Sequence, residues 1–363
     1  MIPIARPQLG AEEESAVLEV LRSGVLTQGE RTRAFERAFA LAMGAELGVA
    51  TANGSVALYL ALLAHGIGPG DEVITSPLTF IATANAIAHT GATPVFADVD
   101  DTLNLSCEAA ARLIGSRTKA IVLVHLHGNP GDVRALARLA EERGLALIQD
   151  ACQAVGATVG GRPLGAFGTA VYSFYATKNI TTGEGGMVIT SDAKVARTCA
   201  RLRHQAYADE PYLHDAIAYN FRLTEMQAAI GLVQLGKLDA ITERRRQNAE
   251  YYAANVSRWF ERPRVDPDHR HVYHQYTLRV PSGWSRDEVR SQLRTRGVET
   301  GVYYPVPVHF QPPYRVLHNA PCPVAESAAR DMISVPVHPA VTHDERVAVA
   351  SELNGIAATA LWT

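Results

Sequence analysis

Apolar residues recur along this chain with two periods, and stretches of the two alternate. In AEEESAVLEVLRSG, Ala11 to Gly24, they fall three and four apart, which predicts an amphipathic helix stopping at Gly24. ELGVAT then reads as a short strand, and ANG leads into the helix SVALYLALLAHG. The strand DEVITS, the helix TFIATANAIAHTG, the strands TPVFADV and AIVLVH, the helix DVRALARLAEERG and the strand LALIQD follow in order, and AVYSFY and GMVIT add two more strands. Short β-rich runs alternating with helices predict βαβ units around a mainly parallel sheet, buried on both faces. From Leu223 to about Val256 the pattern is helical without a break, and its basic run ERRRQ reads as a solvated or interface face. Beyond ERPRVDPDH the texture changes: VYHQYTLRV alternates as a strand, SRDEVRSQLRTRG reads as a helix, and YYPVPVHFQPPY is punctuated by prolines. The expected organisation is a large α/β domain over 1–256, with an N-terminal and a linking helix, and a small C-terminal α+β domain over 257–363.

Composition narrows the partners. The 363 residues are 47% hydrophobic and 20% charged, ordinary for a soluble globular chain. A formal net charge of −3 gives no electrostatic footing for nucleic acid or an anionic membrane. MIPIARPQLG has no apolar stretch like that of a signal peptide, and runs such as AIVLV are too short to cross a bilayer, so a cytoplasmic location is expected. The four cysteines, Cys107, Cys152, Cys199 and Cys322, are widely spaced and form no CxxC pair, which favours free thiols.

Four lysines (Lys119, Lys178, Lys194, Lys237) stand against thirty arginines. Lysine forms imines and arginine does not, so each lysine draws attention. Lys178 sits in SFYATKN, between an aromatic strand and the glycine-rich TTGEGG. Asp150 closes the apolar strand LALIQD, at the carboxyl end where open α/β sheets bind ligands, and Gln153 lies three residues on. Its plain alternative is an Asp that caps the next turn. At Asn53-Gly54-Ser55 a strand turns into a helix, with Ser55 as the expected N-cap. The unpaired N–H groups there suit an anion, although an ordinary capped helix reads the same way. GIGPG, Gly66 to Gly70, precedes a strand rather than opening a helix and is a turn, not a dinucleotide fingerprint. Pyridoxal 5'-phosphate needs a lysine, an acid for its ring nitrogen and an anion site, and Lys178, Asp150 and the Gly54-Ser55 helix start offer all three at strand ends. Ser173 adds a second hydroxyl for phosphate and Phe80 a ring to stack on the cofactor. His125 and His127, one apart on a strand, and His269, His271 and His274 lack the further ligands at fitting spacing that a metal site requires, so no metal is expected.

DACQAVGA, SFYATKNITTGEGGMVIT and YNFRLTEMQAAIGLVQLGKLD resemble the DegT/StrS-type (DegT/DnrJ/EryC1/StrS) nucleotide-sugar aminotransferases. So do SGVLTQG, ANGSVAL, GPGDEVITSPLTFIATANAI, GATPVFADVD and VYYPVPVHFQPPY, in the family's order over nearly the whole chain. The resemblance implies a fold-type I, aspartate-aminotransferase-like α/β transferase dependent on pyridoxal 5'-phosphate. Lys178 would carry the cofactor, Asp150 would meet the pyridine nitrogen, Gln153 would lie near the ring, Phe80 would stack, and Gly54, Ser55 and Ser173 would bind phosphate. It also implies glutamate as amino donor, a nucleotide-diphosphate keto sugar as acceptor, and a homodimer with shared active sites, in which Asn220 of YNFR reaches the neighbouring protomer's phosphate. Tyr303 and His309 would lie beside the sugar or its diphosphate.

Three positions depart from the family's habit: Ser55 where Thr is frequent, His127 where Tyr or Phe is common, and Tyr303 where His is common. The last two bear on the sugar. ATKNITTGEGG resembles the branch that aminates carbon 4, whereas VYYP also occurs among carbon-3 enzymes. A 4-keto-6-deoxyhexose is therefore expected first and the 3-keto isomer second, on uridine or thymidine diphosphate. Two other readings stand beside this one. A dehydratase of the same family would carry His in place of Lys178, and a regulatory protein retaining the fold would need neither Lys178 nor Asp150.

Overall fold

The computed structural model describes residues 1–207, 212–317 and 320–360, and every candidate site residue falls within them. Seven strands form the main sheet: β1 (Leu47–Thr51), β2 (Glu72–Thr75), β3 (Thr93–Phe96), β4 (Thr118–Val124), β5 (Ala146–Asp150), β6 (Thr169–Ser173) and β7 (Gly186–Thr190). Their order is β1-β7-β6-β5-β4-β2-β3. Only β7 runs against its neighbours β1 and β6, so the other six strands end on the same edge.

Side-chain alternation explains why the sheet is buried twice. Ile74, Ile121, Leu123, Tyr172 and Ile189 join the apolar cluster on one face, with Phe35 and Phe39. Their immediate neighbours Val73, Val122, Val171 and Val188 join the cluster on the other face, with Leu58, Leu60 and Leu62. Period two in a run of uniformly apolar residues supplies both layers at once.

The helices are α1 (Ala11–Ser23), α2 (Glu30–Ala42), α3 (Gly54–Ala64), α4 (Ala82–His89), α5 (Cys107–Arg112), α6 (Val133–Arg143), α7 (Ala193–Arg203), α8 (Glu225–Gly236), α9 (Leu238–Asn255), α10 (Arg286–Thr295), α11 (Pro323–Asp331) and α12 (His343–Ala360). Gly24 ends α1 in the left-handed region at φ 71°, as its position in the sequence predicts. Toward the C-terminus, β8 (Tyr276–Arg279) pairs antiparallel with β9 (Met332–Val335). A further apolar cluster gathers Tyr276, Leu278, Ile333 and Val335 with Leu293, Leu353 and the α9 residues Ala249, Tyr252 and Val256.

Three local expectations are corrected. The helical pattern from Leu223 to Val256 is two helices, interrupted at Lys237. Gly236 weakens helix propagation there, and Lys237 Nζ is held by Glu12 at 2.6 Å and Glu13 at 2.8 Å, both on α1. The ERRRQ run is not wholly solvated, because Arg245 is only 5% exposed. Successive helix residues turn by about 100°, so three consecutive arginines cannot share one face, and Arg245 falls on the buried stripe of Ile241, Asn248 and Tyr252. The cap of α3 is Asn53, whose side chain accepts from Val56 N–H at 3.0 Å, so Ser55 sits inside the first turn instead.

Glu13 joins the N-terminal helix to the α8–α9 corner and carries a stability prediction. Burial raises its affinity for a proton, but hydrogen bonds from Lys237, Gln234 and the Gly10 N–H outweigh that and bring its pKa from 4.5 to about 2. A depressed carboxylate stabilises the fold fully above its unfolded value and loses that contribution as pH falls toward its folded value. The contribution, roughly 3 kcal/mol, is thus expected to disappear between pH 4.5 and about 2. Urea titrations of the wild type and Glu13→Gln should differ most near neutrality and converge at low pH. A constant difference over that range would refute the assignment.

Candidate active site

The loops that follow β1, β2, β4, β5 and β6 all emerge at the common edge, and the predicted cofactor residues other than Asn220 lie on or beside them. Asp150 is the last residue of β5 and is 7% exposed. Its Oδ2 accepts from Thr83 Oγ1 at 2.8 Å and its Oδ1 from Cys152 N–H at 3.2 Å. Thr83 Oγ1 is in turn 3.0 Å from Thr79 Oγ1, so α4 and the turn before it brace the carboxylate. A buried acid needs such partners, and the unpaired lone pairs of Asp150 remain available to a protonated ring nitrogen.

Lys178 follows β6, and its N–H donates to the Tyr175 carbonyl at 2.9 Å. The residue is half-buried, with its amine enclosed. Desolvation pulls the proton affinity of the amine below that of a free lysine, against the opposing pull of the Asp150 charge. A lysine that releases its proton more easily is a better nucleophile and a better proton carrier at neutral pH.

Gly54 opens α3 beside Ser173. A Cβ on Gly54 would lie 2.8 Å from Ser173 Cβ and 3.0 Å from Cys152 Sγ, so only glycine lets the helix start close over the end of β6. Ser173 is buried and its Oγ accepts from Tyr175 N–H at 3.3 Å. Ser55 is exposed on the first turn, and with Phe80, itself 58% exposed, it lines an open cleft. The N-terminus of α3, with Gly54 against Ser173 and with Ser55 and the Phe80 ring on the open cleft beside it, suits a phosphate. Asp150 accepts from the N–H of Cys152, which packs against Gly54, and Lys178 is close enough to feel the Asp150 charge, so these residues suit pyridoxal 5'-phosphate. Gly54→Ala is expected to weaken cofactor affinity at least about tenfold, some 1.4 kcal/mol, by filling that space. Equilibrium dialysis with the cofactor would decide, and an unchanged affinity would place the phosphate elsewhere.

Gln153 is buried and doubly engaged: its Oε1 accepts from His127 N–H at 2.7 Å and its Nε2 donates to Tyr304 OH at 2.9 Å. His127 and Tyr304 both adopt φ 59° and lie nearly parallel, their rings 6.4 Å apart. Two non-glycine residues in the left-handed region at one contact mark a place where the surrounding structure overrides backbone preference. Burial holds the His127 imidazole at about 3, so it is neutral at physiological pH. His125 does not share a strand face with His127, because the chain turns at Leu126–Gly128. The His125 Nδ1 accepts from Gly131 N–H and its Nε2 donates to Gln149 Oε1. Among the described residues no cluster of three or more His, Cys, Asp or Glu is set to hold a metal ion.

Tyr303 lines a cleft together with Lys178, Asn179, Arg245 and His274. His309 does not line it. That residue is buried against Phe310 and its Nε2 donates to Glu326 Oε1 at 3.2 Å. Asn220 is exposed, remote from Lys178 in sequence, with its Oδ1 accepting from Arg222 Nε at 2.9 Å. Thr83, Cys152, Tyr304, Gln275 and Arg245 were not foreseen. A threonine one turn into a helix and an arginine within a charge run leave no mark in a sequence pattern, and only the folded edge brings them to Asp150 and Lys178.

With Lys178, the braced Asp150 carboxylate and the Gly54 helix start at one edge of its α/β sheet, the chain is an enzyme of the sugar aminotransferase class. The profile of the DegT/DnrJ/EryC1/StrS aminotransferase family matches residues 7–354, and the chain belongs to that family. It is 40% identical over 356 residues to a pleiotropic regulatory protein of Geobacillus stearothermophilus, covering 95% of this chain and 94% of the relative. It is 39% identical over 337 residues to a UDP-N-acetyl-3-dehydro-alpha-D-glucosamine 3-aminotransferase of Acidithiobacillus ferrooxidans, covering 92% and 90%. The crystal structure of the aminotransferase TlmJ from Streptoalloteichus hindustanus superposes with a TM-score of 0.94 at 36% identity, covering 99% of this chain and 100% of that one.

Proposed function

We propose that this enzyme transfers an amino group from glutamate to a keto sugar carried on a nucleoside diphosphate, for the synthesis of amino sugars. The observation that carries the reading is the meeting of Lys178, Asp150 and the Gly54–Ser173 cradle at one sheet edge. Lys178 would hold pyridoxal 5'-phosphate through its amine, Gly54, Ser55 and Ser173 would receive the phosphate, Phe80 would cover the ring and Gln153 would sit at its margin. When bound, that cofactor supplies an electron sink for the carbon that loses or gains the proton. Asp150 keeps a proton on the ring nitrogen. Lys178, once free, would carry a proton at Nζ between the cofactor carbon and the donor or sugar carbon. The dehydratase reading is disfavoured by the lysine itself.

An absorbance scan tests the reading directly. Purified protein should be yellow, and its long-wavelength band should bleach on adding glutamate. Colourless protein that no added pyridoxal 5'-phosphate can reconstitute would refute it.

For the sugar, a 4-keto-6-deoxyhexose remains the favoured acceptor and the 3-keto isomer the second. ATKNITTGEGG beside Lys178 supports the first, whereas the carbon-3 name of the Acidithiobacillus relative supports the second. The residue bordering the reacting carbon weighs more, because selection between isomers is made there. With glutamate as donor, kcat/KM for the 4-keto sugar should exceed that for the 3-keto sugar. A preference for the 3-keto sugar above about tenfold, or 1.4 kcal/mol of transition-state binding, would reverse the assignment.

Asn220 supports a homodimer whose sites are shared: it is exposed and fixed by Arg222. Mixing inactive Lys178→Ala with inactive Asn220→Ala protomers should restore activity in the heterodimer. No recovery after subunit exchange would mean that Asn220 serves its own protomer.

A further inference from the structure

The cleft that Lys178 shares with Tyr303 has a charge imbalance of its own. Its described lining carries Arg6, Lys178 and Arg245 and not one carboxylate. Arg245 reaches it from α9, buried, with one terminal nitrogen donating to the Tyr273 and His274 carbonyls at 3.0 and 3.1 Å. Its Nε is buried and has no partner. On the same wall Asn179 Oδ1 and Gln275 Oε1 are buried acceptors without a donor. An unpaired buried guanidinium N–H and unpaired buried carbonyls cost free energy as they stand, and both are relieved by one ligand bearing an anion and N–H groups together.

Resting on the aminotransferase reading, we propose that this cleft is the carboxylate site for the amino-acid donor. Arg245 and Arg6 receive its carboxylate within reach of Lys178, and Gln275 and Asn179 accept from its nitrogen. Desolvation alone lowers Arg245 to about 10, so it stays cationic at neutral pH and lacks a counter-charge. His274 faces both Lys178 and Arg245, and burial followed by those charges keeps it neutral, so it adds no cation of its own. His338 donates through Nε2 to the Pro3 carbonyl at 3.0 Å, which ties the segment bearing Arg6 against the cleft wall. The guanidinium forks suit carboxylate better than a lysine point charge would.

The test is calorimetric titration of the holoenzyme with glutarate, which has the carboxylates of glutamate and no amine to react. Wild-type protein should bind one glutarate per chain, and Arg245→Lys and Arg6→Gln should each bind it at least tenfold more weakly. The KM for the nucleotide sugar should change less than about threefold in both variants. If Arg245→Lys loses its melting transition, Arg6→Gln, at an exposed position, carries the test alone. Glutarate affinity indifferent to both substitutions overturns the proposal. So does inorganic phosphate binding as tightly as glutarate, which marks a general anion hole. Tighter binding of glucuronate than of glutarate also overturns it, by assigning the cleft to a sugar carboxylate. Bleaching by glutamate is scored separately. Its absence, with glutarate binding still dependent on Arg6 and Arg245, defeats the aminotransferase reading and not the site. Its presence, with glutarate indifferent to both variants, defeats the site and not the reading.

Discussion

Lys178→Ala is expected to lower turnover by at least about a thousandfold while leaving the fold intact. A positioned proton carrier contributes roughly 10² to 10⁴ in rate, and here the same amine also holds the cofactor. Lys178→Arg should fail nearly as badly, since guanidinium keeps the charge and cannot release the proton. The stability outcome separates this role from a structural one. Desolvation holds the Lys178 amine below its ordinary proton affinity, against the charge of Asp150. In protein stripped of cofactor, the protonated amine therefore disfavours the folded state. That cost is fully present below the folded pKa and vanishes only as pH rises past the unfolded lysine value near 10.5. Lys178→Ala should accordingly melt no lower than the wild-type apoprotein at neutral pH, with any gain fading above pH 10.5. An inactive variant that also melts far below the wild type would show Lys178 to be a structural ion-pair partner. An active one would end the catalytic assignment.

The contrast between what the sequence revealed and what it hid follows from the physics of each feature. The alternating apolar runs placed all seven strands and the helices α3, α4 and α6 within a few residues, because a sheet buried on both faces demands uninterrupted apolar strands, and they left the short helix α5 unmarked. Asp150 was legible because it closes such a run at the carboxyl end of β5, and Lys178 because it lies in the loop that follows β6. Ser55 was misread as the cap because both Asn53 and Ser55 have capping side chains, and the choice between them depends on where the helix begins, which propensity does not fix to one residue. Arg245 was misread because three adjacent arginines look like a solvated surface until the helix phase sends one inward. Thr83 and Tyr304 were invisible because their roles rest on contacts across 67 and 151 residues of chain, which no local pattern encodes.

The second large effect is expected at Asp150. Its carboxylate is buried, takes one hydrogen bond from Thr83 and one from Cys152 N–H, and faces the space where a protonated ring nitrogen would lie. Asp150→Asn preserves shape and keeps an acceptor oxygen, but the neutral amide no longer favours the protonated ring, and its NH₂ group meets the Thr83 hydroxyl in place of an oxygen. Single-turnover rates with glutamate and with the sugar should both fall about a hundred- to a thousandfold, near 3 to 4 kcal/mol of barrier, because both halves need the same electron sink. Cofactor affinity should weaken in parallel. Thr83→Val supplies the graded control: it removes one neutral donor from Oδ2 and leaves the charge, so a loss of roughly tenfold is expected, the size of a single hydrogen bond to a charged group. Rapid-mixing absorbance traces of the three proteins would order them wild type, Thr83→Val, Asp150→Asn. If Asp150→Asn reacts with glutamate as fast as the wild type, the carboxylate is only the cap of the turn after β5, and the ring nitrogen must be sought against another group.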